Sequence, residues 1–354
     1  MKRIILDCDL MKHPNSGLYY YCLNLGNYVN RILDAENEKL SYYVPETARN
    51  AFESKRSGII EKSWHRRYFK PFLWNCDLWH APFQSGKPIQ RVHKRMKVLL
   101  TIHDLNVLHE DKPEAERRES LRRTQGLIDS SDALVCISNH TRRDVEQHMD
   151  VSGKHIYVIH NGTHHITEPP MQPSGYKPIR PFIFTMGYVN RKKNFHTLLS
   201  LLQDESLELV VAGRLDEPDY ITQFKVQAEH LGVADRLKIL GPVPEEDKAW
   251  YYRHAQAFAL PSLAEGFGAP VVEAMKFGKP IFLSDRTSLP EIGGDAAFYF
   301  SNFEPGHMLT VYREGMETFR RKNLSQDVMK RGHSFSWEEK AREYLQVYRT
   351  LLST

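Results

Sequence analysis

The chain has 354 residues, 41% of them apolar and 26% charged, which suits about two domains of ordinary globular make-up and excludes a fibrous or disordered chain. No stretch approaches the ~18–20 uninterrupted apolar residues of a membrane span, and Asp7 and Asp9 cut the opening apolar run before a signal-peptide core can form. The formal net charge is +4, yet residues 51–100 carry 11 Lys or Arg against 3 Asp or Glu, a local +8.

Taken in chain order, short β-branched runs predict strands at residues 3–6, 41–44, 98–101, 133–137 and 156–159. Helical patterns over 19–33, 113–128 and 141–148 lie between them. Residues 167–180, rich in proline and without an apolar period, read as a linker. Strands then recur at 182–186, 207–212, 237–240, 258–260 and 281–283, with helices at 196–202, 219–231 and 269–277. Alternation of this kind implies α/β domains built on parallel sheets. The expected domains are 1–166, 181–336 beyond the linker, and a last helix over 337–354. Its apolar stripe (Ala341, Tyr344, Leu345, Tyr348, Leu352) must pack on something, and the N-terminal domain is the expected partner.

The segment 64–74 begins at Trp64, ends at Trp74, and interleaves Tyr68, Phe69 and Phe72 with Arg66, Arg67 and Lys70. That mixture suits an anionic membrane surface, where rings and cations both gain. Two other readings are a solvated basic face over internally packed rings, and a nucleic-acid surface, though no nucleic-acid motif accompanies it. The four cysteines, Cys8, Cys22, Cys76 and Cys136, are scattered without a C-x-x-C pair. They predict no disulfide framework and no zinc site, and fit a reducing cytosol.

The segment 259–275 holds the densest chemistry. An apolar strand ends near Pro261, Gly266 and Gly268 open the backbone, and Pro270 pre-sets a helical turn. Free N–H groups at such a helix start bind oxygen-rich anions. Glu265 and Glu273 bracket it; carboxylates there complement the helix dipole, and they also grip sugar hydroxyls. Upstream, Arg191-Lys192-Lys193 follows a predicted strand, and His103 ends another.

Glu265 to Glu273, with Gly-Phe-Gly inside and Glu-Ala-Met at its end, resembles the E-x7-E element of glycosyltransferase family 4, retaining enzymes of the GT-B fold. Residues 280–297, Gly187 to Phe195, and Leu209 to Arg214 continue the resemblance, as does His103-Asp104-Leu105. It implies two Rossmann-like doubly wound domains facing across a cleft, an N-terminal acceptor side and a C-terminal nucleotide-sugar side. By resemblance Glu273 holds the donor ribose. Glu265 and the backbone of Gly266, Phe267 and Gly268 hold the hexose and phosphates. Lys193 neutralises the diphosphate leaving group beside Arg191, His103 faces the sugar, and the loop at Gly17 approaches the diphosphate. Three positions depart from the pattern: Tyr188 stands where many members have Arg, His164 where they have Asp, and Gly17 where two glycines often occur. Arg214 is then a candidate second phosphate cation.

Asp7-Cys8-Asp9 has the Asp-x-Asp spacing of metal-nucleotide sites in another glycosyltransferase fold, but it ends the first strand and reads as loop or cap groups. The resemblance implies transfer of a hexosyl group from a GDP- or UDP-sugar, GDP-mannose among them, to a saccharide or lipid-linked saccharide. No cofactor, metal or nucleic acid is expected beyond that co-substrate, and the expected place is the cytoplasm or the inner face of the plasma membrane. A GT-B sugar-nucleotide epimerase and a non-catalytic nucleotide-sugar-binding scaffold are the alternatives.

Overall fold

The computed structural model describes residues 1–14, 16–53, 58–62, 71–86, 88–163 and 172–353. The chain divides into two compact units, Met1–Gly162 with Ser336–Thr354, and Thr163–Phe335.

In the first unit the strands are β1 (Lys2–Asp7), β2 (Glu38–Val44), β3 (Gly58–Glu61), β4 (Leu78–Ala81), β5 (Lys97–Ile102), β6 (Ala133–Cys136) and β7 (His155–Val158). They form one sheet in the order β3-β2-β1-β4-β5-β6-β7, with every neighbouring pair parallel. β6 reads as an unbroken apolar run, and β5 as one interrupted only by Thr101 after Lys97, because both are buried on both faces. Parallel pairing needs crossovers, which α1 (Gly17–Ile32), α2 (Glu114–Asp129) and α3 (Asn139–His148) help to supply. α1 starts where Ser16 Oγ accepts the Tyr19 N–H, and α3 where Ser138 does the same for Thr141.

The second unit holds β8 (Phe182–Met186), β9 (Glu208–Ala212), β10 (Leu237–Gly241), β11 (Ala257–Leu260), β12 (Ile281–Ser284) and β13 (Phe298–Phe300), all parallel in the order β10-β9-β8-β11-β12-β13. Its helices are α4 (Pro218–His230), α5 (Glu245–His254), α6 (Ala269–Lys276), α7 (Leu289–Gly293), α8 (Pro305–Lys322) and α9 (Ser325–His333). In each sheet the strand order reverses once, at β1/β4 and at β8/β11. Loops leaving the carboxyl ends of strands part at such a reversal and leave a crevice for a ligand.

The chain then returns to the first unit as α10 (Trp337–Ser353). Trp337, Ala341, Tyr344, Leu345, Tyr348 and Leu351 are buried in the same apolar cluster as Ile4, Leu25 and Leu99. The Tyr344 and Tyr21 hydroxyls meet at 2.6 Å, and the Tyr348 hydroxyl meets His80 Nδ1 at 2.7 Å. The expected apolar stripe is therefore the face that docks.

β3, β4, β13, α5, α7, α8 and α9 have no counterpart among the expected elements. The expected helix at 196–202 is a 3-10 helix over Phe195–Gln203. Part of the expected linker and His164 lie outside the described residues. The described part is fastened to the second unit: Ser174 bonds Asp247 through its N–H and its hydroxyl, and the Tyr176 hydroxyl donates to Glu208 at 2.8 Å. Of the basic-aromatic segment, Trp64 to Lys70 also lie outside the described residues. Phe72 stacks on Tyr43, Leu73 is buried, and Trp74 is 62% exposed. Among the described residues all four cysteines are free and buried, and no helix is long and apolar enough to cross a membrane.

Candidate active site

The reversal between β8 and β11 sets their trailing loops side by side. The Leu263 N–H donates to the Lys192 carbonyl at 2.8 Å, joining the two loops through their backbones. After β8, Asn190 Oδ1 accepts the Lys193 N–H at 3.2 Å and caps a 3-10 turn over Arg191–Lys193. The turn sends its basic side chains different ways. Lys193 points inward at 12% exposure, whereas Arg191 stays 60% exposed with Glu217 at 3.8 Å. Gly187, with φ of +152°, lets Lys193 lie close over its backbone; a Cβ there would stand 3.1 Å from Lys193 Cε.

Lys193 Nζ reaches Glu265 Oε1 at 2.5 Å, and the same oxygen accepts the Ser262 hydroxyl at 2.7 Å. The Glu265 backbone is held from the other side: its N–H donates to Thr287 Oγ1 at 2.9 Å and its carbonyl accepts the Ser288 hydroxyl at 2.8 Å. Thr287 adopts φ of +52°, a strained conformation for a β-branched residue. Such strain, about 1–3 kcal/mol, persists where neighbours over-determine it.

Gly266 is buried, and the Phe267 ring packs edge-on against Phe335, so at these two positions only the backbone is available to a ligand. Gly268 sits at φ of +90° as the N-cap of α6, and a Cβ would come within 2.9 Å of Leu289 Cδ2. Glycine there lets the chain turn sharply and open the α6 N–H groups to an anion. Glu273, on the second turn of α6, accepts the Tyr252 hydroxyl at 2.8 Å and lies 3.2 Å from Lys248 Nζ. Burial works against the charge on Lys248, but Glu273 and Glu245 raise its pKa well above the ordinary value. Glu273 is thus aimed by two α5 residues that sequence reasoning missed; α5 lacks an apolar period because Asp247 and Lys248 face inward.

Lys193 and Glu265 are therefore brought together, with Gly266, Phe267 and Gly268 in the same loop and Glu273 on the helix it opens. Arg191 is turned away from that pair. Tyr188 does not replace an arginine but carries one: the Arg214 guanidinium lies 5.1 Å from its ring centre and 2.7 Å from Asp216.

The remaining sequence-nominated residues, His103 and Gly17, belong to the first unit. His103 follows β5, and its Nε2 lies 2.8 Å from the Pro82 carbonyl, the contact of an N–H donor. Its ring meets Tyr21 and Phe83 edge-on. Burial lowers its pKa to about 4, so the imidazole is neutral with Nδ1 unprotonated. Gly17 opens α1, and a side chain there would meet nothing within 4 Å, so backbone geometry does not demand glycine. The Asp9 carboxylate is occupied by Lys62 at 2.7 Å.

Two family models match in tandem. The model described as Glycosyltransferase Family 4 covers residues 33–165, and the one described as Glycosyl transferases group 1 covers residues 171–304. The chain belongs to glycosyltransferase family 4. This glycosyltransferase is 22% identical to the O-antigen chain mannosyltransferase B of Escherichia coli, over 99% of this chain and all of that protein. It is 25% identical to the D-inositol 3-phosphate glycosyltransferase of Corynebacterium kroppenstedtii, over 77% of this chain and 62% of that protein. Among solved structures, sucrose-phosphate synthase from Thermosynechococcus elongatus superposes with a TM-score of 0.78 at 18% identity, covering all of both chains. Anabaena HepE in complex with UDP and glucose superposes with a TM-score of 0.73 at 15% identity, covering 99% of this chain and all of that one. The glycosyltransferase has the GT-B architecture of two Rossmann-like sheets, as its resemblance implied.

Proposed function

We propose that this glycosyltransferase moves a hexosyl group from a nucleotide-diphosphate sugar, GDP- or UDP-linked, to a hydroxyl of a saccharide or lipid-linked saccharide, with retention at the anomeric carbon. The observation that carries the reading is the inward-facing Lys193–Glu265 pair at the β8/β11 reversal, beside the open start of α6. A diphosphate leaving group meets two kinds of positive contact there, an ammonium and free backbone N–H groups. Glu273, held by Tyr252 and Lys248, supplies the acceptor oxygens that ribose hydroxyls need.

Retention follows from displacement on one face of the sugar. The bond from the anomeric carbon to the phosphate oxygen breaks and the electron pair leaves with the diphosphate. The acceptor oxygen bonds to the same face, and its proton passes to the departing phosphate oxygen. No protein nucleophile is required, and neutral His103 is assigned to the donor sugar as a hydrogen-bonding group. Likeness to an O-antigen mannosyltransferase supports GDP-mannose as the first donor to try, and polysaccharide or glycolipid assembly as the setting.

The test incubates the full chain with a panel of UDP- and GDP-sugars and follows released nucleotide and the released sugar. Nucleotide release from one or two donors, with the hexose transferred in the α or β form that it had in the donor, supports the reading. An epimerised sugar would identify the epimerase instead, and binding without turnover of any donor, given saccharide acceptors, a scaffold.

A further inference from the structure

Sequence spacing nominated no metal ligands, yet the fold gathers three. His140 and Asp144 stand four residues apart on α3, hence on one face of the helix. His109 follows the 3-10 turn Asn106–Leu108, which Asp104 Oδ1 holds by accepting the Asn106 N–H at 3.0 Å. His109 Nε2 lies 2.7 Å from Asp144 Oδ2, and His140 Nε2 lies 3.3 Å from the same oxygen. One ligand atom from each residue falls within 4.8 Å of the other two.

We propose that His109, His140 and Asp144 form a binding site for a borderline transition-metal ion, with Zn²⁺ the natural occupant. Two imidazoles and a carboxylate are a donor set that zinc accepts, with a fourth position left to water. Bonds of about 2.0–2.2 Å in tetrahedral array hold ligand atoms roughly 3.3–3.5 Å apart. The His140–Asp144 separation already has that value, and His109 needs to withdraw by only about 0.6–0.8 Å to match it. The side chains of His109, His140 and Asp144 are 29%, 16% and 8% exposed, so an ion would be largely shielded while His109 leaves an entry path.

The site also has a mechanical consequence. Thr141 Oγ1, in the first turn of α3, donates to the His103 carbonyl at 3.1 Å. An ion joining His109 to α3 closes the loop 104–109 against the helix that is bonded to His103. It fixes that loop and takes no part in the transfer chemistry assigned to Lys193.

The experiment strips the full chain with a chelator, dialyses it, and titrates it with Co²⁺ and then Zn²⁺. Visible d–d absorption follows cobalt and its displacement by zinc, and hydrogen exchange follows the amides of 104–109. The expected result is one saturable ion per chain, slowed exchange in that loop, and affinity at least about 10-fold weaker in His140→Gln, the loss that outer-shell changes alone already produce. His109→Gln, at the most exposed of the three positions, repeats the test should His140→Gln fold poorly. Absence of saturable binding by the parent chain, or binding that both variants keep, overturns the proposal.

Discussion

The Lys193 ammonium and the Glu265 carboxylate, 72 positions apart, meet at 2.5 Å with each side chain about nine-tenths buried. Each charge is the other's substitute for water. On the proposed reading, a diphosphate at the start of α6 competes with Glu265 for the same ammonium, and donor binding is expected to rearrange this pair.

Lys193→Ala is expected to lower turnover at saturating donor by about 100- to 1,000-fold, the loss typical of removing one fixed group from a developing anion. It also strands Glu265. Breaking a buried pair costs about 3–5 kcal/mol, and the remaining Ser262 bond places this case at the lower end. Adding Glu265→Gln should recover much of that stability without recovering turnover. Chemical denaturation and steady-state rates on the single and double variants check both halves, and near-normal turnover of Lys193→Ala would refute the leaving-group role.

Glu273→Ala should act chiefly on nucleotide binding. The carboxylate lies between Tyr252 and Lys248, and Lys248 keeps Glu245 at 2.9 Å when Glu273 is gone. Calorimetry with free GDP and UDP should show affinity lower by about 10-fold, the equivalent of one charge-assisted hydrogen bond of about 1.5 kcal/mol. Unchanged affinity would remove Glu273 from the ribose.

Sequence reading found strands by their apolar runs, the half-exposed edge strands β7 and β10 among them, and missed the buried β4, where Trp79 and His80 fill half of a four-residue strand. β3 is a four-residue edge strand that begins at Gly58, and β13 is only three residues long, too short to show a period. α5 hides because Asp247, Lys248, Tyr251 and Tyr252 are all buried, mixing charge into the inward face. Lys193, Glu265 and Glu273 were legible through the pattern of a family, since each belongs to a local motif. Their partners were not. Ser262 and the His140–Asp144 pair are local contacts, but Tyr252, Lys248, Thr287 and His109 reach their partners through the fold, and spacing along the chain carries no trace of that.

Acid should loosen the first unit before its carboxylates titrate. His80 is buried between Tyr348 and Thr101, and burial with His103 nearby lowers its pKa to about 3; burial lowers His103 to about 4. Both are ordinary imidazoles near 6.5 once unfolded. A depressed folded pKa means that the unfolded chain takes up protons that the folded one refuses. The stability from these groups is whole above pH 6.5 and falls as pH drops toward 4. His109, raised by its bond to Asp144, acts in the opposite sense and above that window. The melting temperature should therefore decline from pH 6.5 downward, and His80→Gln should flatten the decline; an equal slope in the variant would count against it.

Transfer is expected to survive EDTA, because the cation work falls to Lys193 and the start of α6, and the Asp9 carboxylate is taken by Lys62. Initial rates with and without chelator test this. Complete loss restored by manganese or magnesium would move the donor phosphates onto a metal.

The basic-aromatic segment is expected to bind anionic membranes. Its described end lies in the 3-10 helix Pro71–Asn75, where exposed Trp74 borders a cleft of about 670 Å³ that Arg3, Lys94 and Arg95 also line. Each cation near such a leaflet contributes about 1 kcal/mol, weakened by salt. Liposome flotation should show binding that requires anionic lipid, fades with salt and falls when Arg66, Arg67 and Lys70 become Glu. Indifference to anionic liposomes at low salt would point to a soluble acceptor.

Because α10 follows the second unit along the chain but belongs to the first, the first unit is completed only after the second has been made. The second unit is continuous, from Thr163 to Phe335. The first must wait with Tyr21, Leu25 and His80 uncovered until Tyr344 and Tyr348 have been synthesised. Contacts that span more than 260 residues are slow to close and leave apolar surface open to other chains meanwhile. The order of synthesis thus exposes the unit that carries His103 to misassembly, and the seventeen-residue helix α10 is the step that covers Tyr21 and His80.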